Sequence, residues 1–196
     1  MEENFDALEV IARTRGKVTM SDRPTGENIF LVWGWPTAFF FLLEFFLWQA
    51  FRQQWCLWLW MGIPLVAVPL MVRILRKDHQ RTHNRTHGAK VVLNYWIFVG
   101  CACAGVGFLF GFAGLYESCF LPLLCLLVGI GSFITGEILR FKPKTLCGLA
   151  GCAIGFCSFL LRGELWHWQL LATALVAVVT LIVPGILYNK SVRDGI

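Results

Sequence analysis

The chain has 196 residues, is 57% hydrophobic and only 15% charged, and carries a formal charge of +5. A soluble domain of this size is about a quarter charged, so a water-soluble globular fold is excluded. The apolar residues fall in long blocks, which leaves no room for a soluble catalytic domain beside them.

Residues 1–28 read as a cytoplasmic N-terminal tail of mixed charge, with no apolar run of the secretory-leader kind. Within it, Phe5, Leu8 and Ile11 recur every three residues, while Asp6, Glu9 and Arg13 lie off that stripe. Residues 4–15 are therefore expected to form a short amphipathic helix on the membrane face. Pro24 and Gly26 in "SDRPTGEN" then break it.

Six apolar blocks follow, at 29–51, 55–75, 91–113, 118–138, 145–161 and 165–187. About 20 residues of helix cross a hydrocarbon core. The expected fold is all-α: a polytopic bundle of six transmembrane helices over residues 29–190, followed by a short cytoplasmic tail at 191–196. The even-numbered blocks end alike, with "RILRK" at 73–77, "EILRFK" at 137–142 and "GILYNK" at 185–190, which suggests three helical hairpins in succession. An inward-ending helix tends to close this way in any case, with aliphatics and then a base.

Fifteen of the 17 lysines and arginines lie in the two tails and the loops around 76–90 and 140–144. Only Arg52 and Arg162 fall on the other side. Cytoplasmic segments retain lysine and arginine, so both termini are expected in the cytoplasm. The basic inner loops would touch anionic headgroups. They also account for the net charge, so nucleic acid is not an expected partner. Trp33, Trp35 and Trp96 stand near inner helix ends, and the other six tryptophans toward outer ones, where interfaces favour that ring.

The second block contains Pro64 and Pro69, and Pro36 and Pro184 interrupt the first and last. Each removes a backbone donor and tends to kink its helix. Between the second and third blocks, "KDHQRTHNRTHG" sets His79, His83 and His87 four apart. A pair at that spacing could hold a metal, but three on one helix would spread over roughly 12 Å. The only other histidine, His167, is on the far side, so the expected role is a solvated basic loop and no cofactor is expected. The eight cysteines form no Cys-x-x-Cys pair and read as small packing residues; only Cys56 and Cys119 lie where a bridge could form. Gly107 with Gly111, and Gly151 with Gly155, make small-residue faces for close packing inside one chain.

Ionisable groups within a membrane are functional suspects by default. The intramembrane polar candidates are Glu44 in "FFFLLEFFLW", Glu137 near the inner end of the fourth block with Arg140 three residues on, and Asn94. Glu44 is expected to face the bundle interior, since a carboxylate among lipid tails costs several kcal/mol. There it would serve as an interhelical clamp or as a titrating site.

"NIFLVWGW" at 28–35, "GSFITGEILRFKP" at 131–143 and "VPGILYNK" at 183–190 resemble a group of uncharacterised bacterial six-span membrane proteins, as does "ALEVIARTRGKV" at 7–18. The hairpin layout is similar to HdeD-type acid-resistance membrane proteins in architecture alone. The resemblance implies a fold and a location, a bacterial inner membrane, with no reaction attached. No phosphate-binding loop, nucleophile motif or metalloprotease pair is present. The chain is therefore expected to be a non-enzymatic membrane protein acting through partners in envelope stress or regulation. The alternative is a small proton- or cation-coupled transporter or channel that uses Glu44.

Overall fold

The computed structural model describes residues 26–79, 87–113 and 119–193, and every element among them is helical. The expected amphipathic helix at 4–15 and the centre of the histidine run, including His83, lie outside the described residues. In lipid each backbone polar group must be satisfied inside the chain, which is why apolar runs of this length become helices.

Helix α1 spans Gly26–Phe51 and includes Pro36. It begins within the expected N-terminal tail, three residues before the apolar block. It ends at Arg52, whose φ of 50° is left-handed and whose N–H donates to the Trp48 carbonyl at 3.0 Å. That single bond closes the helix as an αL cap does.

The second apolar block does not form one doubly bent α-helix. Gln54–Met61 is a 3₁₀ helix, and α2 runs from Gly62 to His79. Pro64 therefore falls in the first turn of α2, where its missing N–H costs nothing, and only Pro69 lies inside a helix. At the change of helix type, the Phe40 ring of α1 occupies the space a Cβ on Gly62 would need.

Helix α3 spans His87–Ala113, α4 Phe120–Ile138 and α5 Lys142–Ser158. The turn between α4 and α5 is a Schellman motif. Phe141 N–H reaches the Gly136 carbonyl at 2.9 Å and Arg140 N–H the Glu137 carbonyl at 3.1 Å, with Arg140 at φ 51°. After a 3₁₀ turn at Gly163–Leu165, α6 spans Trp168–Ala177, a π turn spans Val178–Ile182, and α7 spans Val183–Arg193.

Among the described residues, five stretches are long and apolar enough to cross a membrane: Ile29–Phe51, Trp55–Ile74, Val91–Leu109, Phe120–Ile138 and Trp168–Ser191. The block expected at 145–161 falls on α5, which has 17 residues. At 1.5 Å per residue that is roughly 25 Å, short of the usual core thickness of about 30 Å.

Helices α4 and α5 pack antiparallel, backbone against backbone. A Cβ on Gly129 would stand 2.7 Å from Cys152 N, and one on Gly136 2.5 Å from Thr145 N; Gly148 is pressed equally hard on the Phe133 backbone. Gly151 and Gly155 are spent on contacts with Thr180 and Leu126 inside this chain. The final segment, α6 to α7, lies at the centre, with 56% of its apolar window buried against 11% for α3. It runs antiparallel to α1: Trp48 packs on Trp166 at 4.8 Å and Phe45 on Trp168 at 5.3 Å.

The surface is the reverse of a soluble protein's. Leu65, Phe98, Leu109, Phe156 and Leu160 are exposed, whereas Glu44, Ser132, Lys144, Gln169, Thr173 and Thr180 are buried. In water such an apolar exterior would aggregate; a hydrocarbon surrounding satisfies it.

Candidate functional site

Glu44 projects from α1 on the face that also carries Phe41 and Phe45, three residues before it and one after. Phe39 and Phe46 turn outward and are exposed. The 3.6-residue period therefore drives the carboxyl into the bundle. It is 0% exposed, and neither carboxyl oxygen has a hydrogen-bond partner. The backbone N–H of Trp60, in the last turn of the 3₁₀ segment, is turned toward it without completing a bond. Glu44 thus faces the point where the second span changes helix type.

The three basic side chains on that side leave it alone. Arg162 donates to the Phe159 carbonyl at 3.0 Å and lies 4.0 Å from Cys119 Sγ. His167 stacks on Phe45 with centroids 6.3 Å apart, and Arg52 is exposed.

At the same depth, within a turn, Gln169 of α6 is buried. Its Nε2 donates to the Ser158 carbonyl at 3.3 Å and to the Leu161 carbonyl, which caps the exposed end of α5. Its Oε1 has no partner. A polar row continues down α6. Thr173 Oγ1 donates to the Gln169 carbonyl at 2.8 Å and lies 3.4 Å from Cys125 Sγ of α4. Below that, Ser132 Oγ donates to the Thr180 carbonyl at 2.9 Å, and Thr180 Oγ1 to the Val176 carbonyl at 2.7 Å. Nearer the basic end, Trp96 Nε1 donates to Thr135 Oγ1 at 3.0 Å and joins α3 to α4.

The other two polar candidates are placed differently. Glu137 is exposed at the end of α4, and its Oε1 accepts the Thr145 hydroxyl at 3.1 Å from the next helix. Asn94 is exposed on α3. The structure does not bring Glu44, Glu137 and Asn94 together.

Lys144 was counted from the sequence as one base of a cytoplasmic loop. It is instead in the first turn of α5, 2% exposed, with its Nζ unpartnered and 3.3 Å above the Phe30 ring centroid of α1. A desolvated cation over an aromatic face gains about 2 kcal/mol. It stands just before the apolar run that starts at residue 145. Burial pushes its ammonium down to about 7, which the nearby Cys147 opposes weakly. The sequence signal was faint: a lysine directly after Pro143 belongs to a helix start, where a cation is poorly placed against the dipole.

All eight cysteines are free, Cys56 and Cys119 included. No cluster of three or more histidine, cysteine, aspartate or glutamate side chains that could hold a metal occurs among the described residues. The side chains of His79 and His87 are not among those described. The fold and this row of interior polar groups are those of an all-helical protein compatible with a lipid surrounding. No family model, no curated protein and no solved structure matches the chain.

Proposed function

We propose that this chain is a six-span protein of a bacterial inner membrane with both ends in the cytoplasm, and that it acts as a small proton- or cation-coupled transporter with Glu44 as its titrating group. The observation that carries this reading is the state of Glu44: sealed from solvent, without a partner, and set against a helix break. A clamp would be hydrogen-bonded to another helix. An orphaned buried carboxyl costs about 1 to 3 kcal/mol or more, which a chain retains where another conformation supplies the missing partner. Interrupted helices beside an intramembrane acid are the arrangement coupled carriers use. The six-span topology draws its support from the 15-to-2 division of basic residues and from the resemblance to six-span bacterial proteins.

Proteoliposomes with an entrapped pH-sensitive dye test it. Imposed proton and cation gradients should produce proton flux in the wild type and none in Glu44→Gln. Equal flux in Glu44→Gln, or no flux in the wild type under any gradient, overturns the assignment.

A second reading is a non-catalytic protein acting through membrane partners. It is supported by the outer face of α3 and the start of α2, where Phe98, Leu109 and Leu65 are each at least 70% exposed. Cross-linking in native membranes that captured one defined protein through α3 would favour it.

A further inference from the structure

We propose that Lys144 is a proton-binding site at the basic end of the bundle, one that senses the pH of the compartment on that side and sets how firmly α5 is held to α1. It is independent of Glu44 and of any transport.

The placement of Lys144 is imposed by its neighbours. The Schellman turn at 136–141 fixes the direction in which α5 departs. Thr145 is clasped to Glu137 of α4 at 3.1 Å, and the Phe141 ring packs edge-on against Tyr188 of α7 at 5.3 Å. The side chain between them is thereby sent toward α1, onto the face of Phe30, whose own edge meets Trp96 of α3 at 6.1 Å.

Few of the described groups around it stabilise an ammonium. On α4, Glu137 is exposed and engaged by Thr145, and Arg140 is a like charge. On α7, Tyr188 and Lys190 are half-buried and exposed. Cys147 is on its own helix. Helix α1 offers no titratable side chain from Ile29 to Leu43, and Tyr95 of α3 is a neutral phenol. The start of a helix also repels a cation. Among the described side chains, the ring of Phe30 and, weakly, Cys147 favour the charged form.

Burial therefore holds the lysine at about 7, inside the range a cytoplasm visits. Above that pH the neutral amine lies comfortably against Phe30. Below it the charge is better placed in water or among headgroup phosphates, which a lysine at a helix end can reach by snorkelling outward. The proton taken up by the amine comes from, and returns to, that aqueous side. Acidification thus releases α5 from α1 at the inner end.

The test uses the full chain in nanodiscs, with lysine Cε carbons labelled for NMR and, separately, 4-fluorophenylalanine at position 30. One lysine should titrate near 7 in the wild type and be missing from Lys144→Met. The fluorine signal at residue 30 should move with the same midpoint in the wild type and stay flat in Lys144→Met. Titration of every lysine above about 9, close to its ordinary range, overturns the proposal. So does an unchanged fluorine titration in Lys144→Met. The lysine titration needs only the wild type, so the proposal stays decidable if the variant fails to fold.

Discussion

Ser132 of α4 donates its hydroxyl to the Thr180 carbonyl at 2.9 Å, in the π turn between α6 and α7. That carbonyl is four residues before Pro184, which has no N–H to give it. The chain thus repairs its own proline break with a side chain from another helix, as irregular backbone within a membrane requires. Gly151 of α5 lies directly against the Thr180 side chain, so three helices meet at this turn.

Ser132→Ala should leave the Thr180 carbonyl unpaired and cost about 1 to 2 kcal/mol. Pro184→Ala should recover much of that loss in the Ser132→Ala background, because it restores an N–H. Unfolding by steric trapping in bicelles would measure the cycle. A Ser132→Ala penalty that Pro184→Ala does not reduce would show that the hydroxyl serves some other partner.

Glu44→Leu should abolish proton flux and yet leave the fold as stable as wild type, or more stable by about 1 to 2 kcal/mol. It removes an orphaned polar group from a packed apolar surrounding. If Glu44 were a clamp, the same change would destabilise. Flux and unfolding measured on one preparation separate the two.

Gly136→Ala should weaken the bundle by about 1 to 3 kcal/mol, since the new methyl would stand 2.5 Å from the Thr145 backbone. Gly100→Ala and Gly105→Ala, with nothing within 4 Å, should be neutral or stabilising by up to about 1 kcal/mol. Equal effects at the two kinds of site would contradict the packing of α4 on α5.

Lys144 sets a pH dependence of stability. Its folded value of about 7 lies below the roughly 10.4 of a free lysine. Between those limits the unfolded chain binds more protons, so stability rises with pH across that window and is lost as pH falls toward 7. Wild type should become more stable from neutral to alkaline pH, and Lys144→Met should lose that part of the slope. Denaturation midpoints at a series of pH values would show it.

The six-span arrangement is tested by Arg85→Cys in a cysteine-free background. The introduced thiol should react with a membrane-impermeant reagent only after the cytoplasmic face is opened. Labelling from outside intact cells would reverse the topology.

Much of the architecture can be read from the runs alone. Whether a stretch becomes a helix in lipid depends on its length and apolar content, and both are local. The helical class and five of the six expected spans were therefore legible, and Glu44 stood out as an acid amid phenylalanine and leucine. Helix type was not. Pro64 and Pro69 suggested two kinks in one helix, but a 3₁₀ segment ends at Met61, beside Gly62 on which the Phe40 ring packs. The Ser132–Thr180 repair was likewise invisible, since its two halves are 48 residues apart.

By itself the sequence determined that this chain is helical, that it holds several runs long enough to cross a bilayer, and how its basic residues are divided among them. Each of these is a sum over consecutive residues. Only the tertiary structure decided which polar groups turn inward. Glu137 and Asn94 lie on the surface, whereas Lys144, in the first turn of α5, is buried over Phe30. Facing depends on the neighbour a helix packs against and the angle at which it leaves the preceding turn. Here the Schellman turn at 136–141 and the glycine contacts of α4 with α5 supply both, and hydropathy, averaged along a run, carries no record of either.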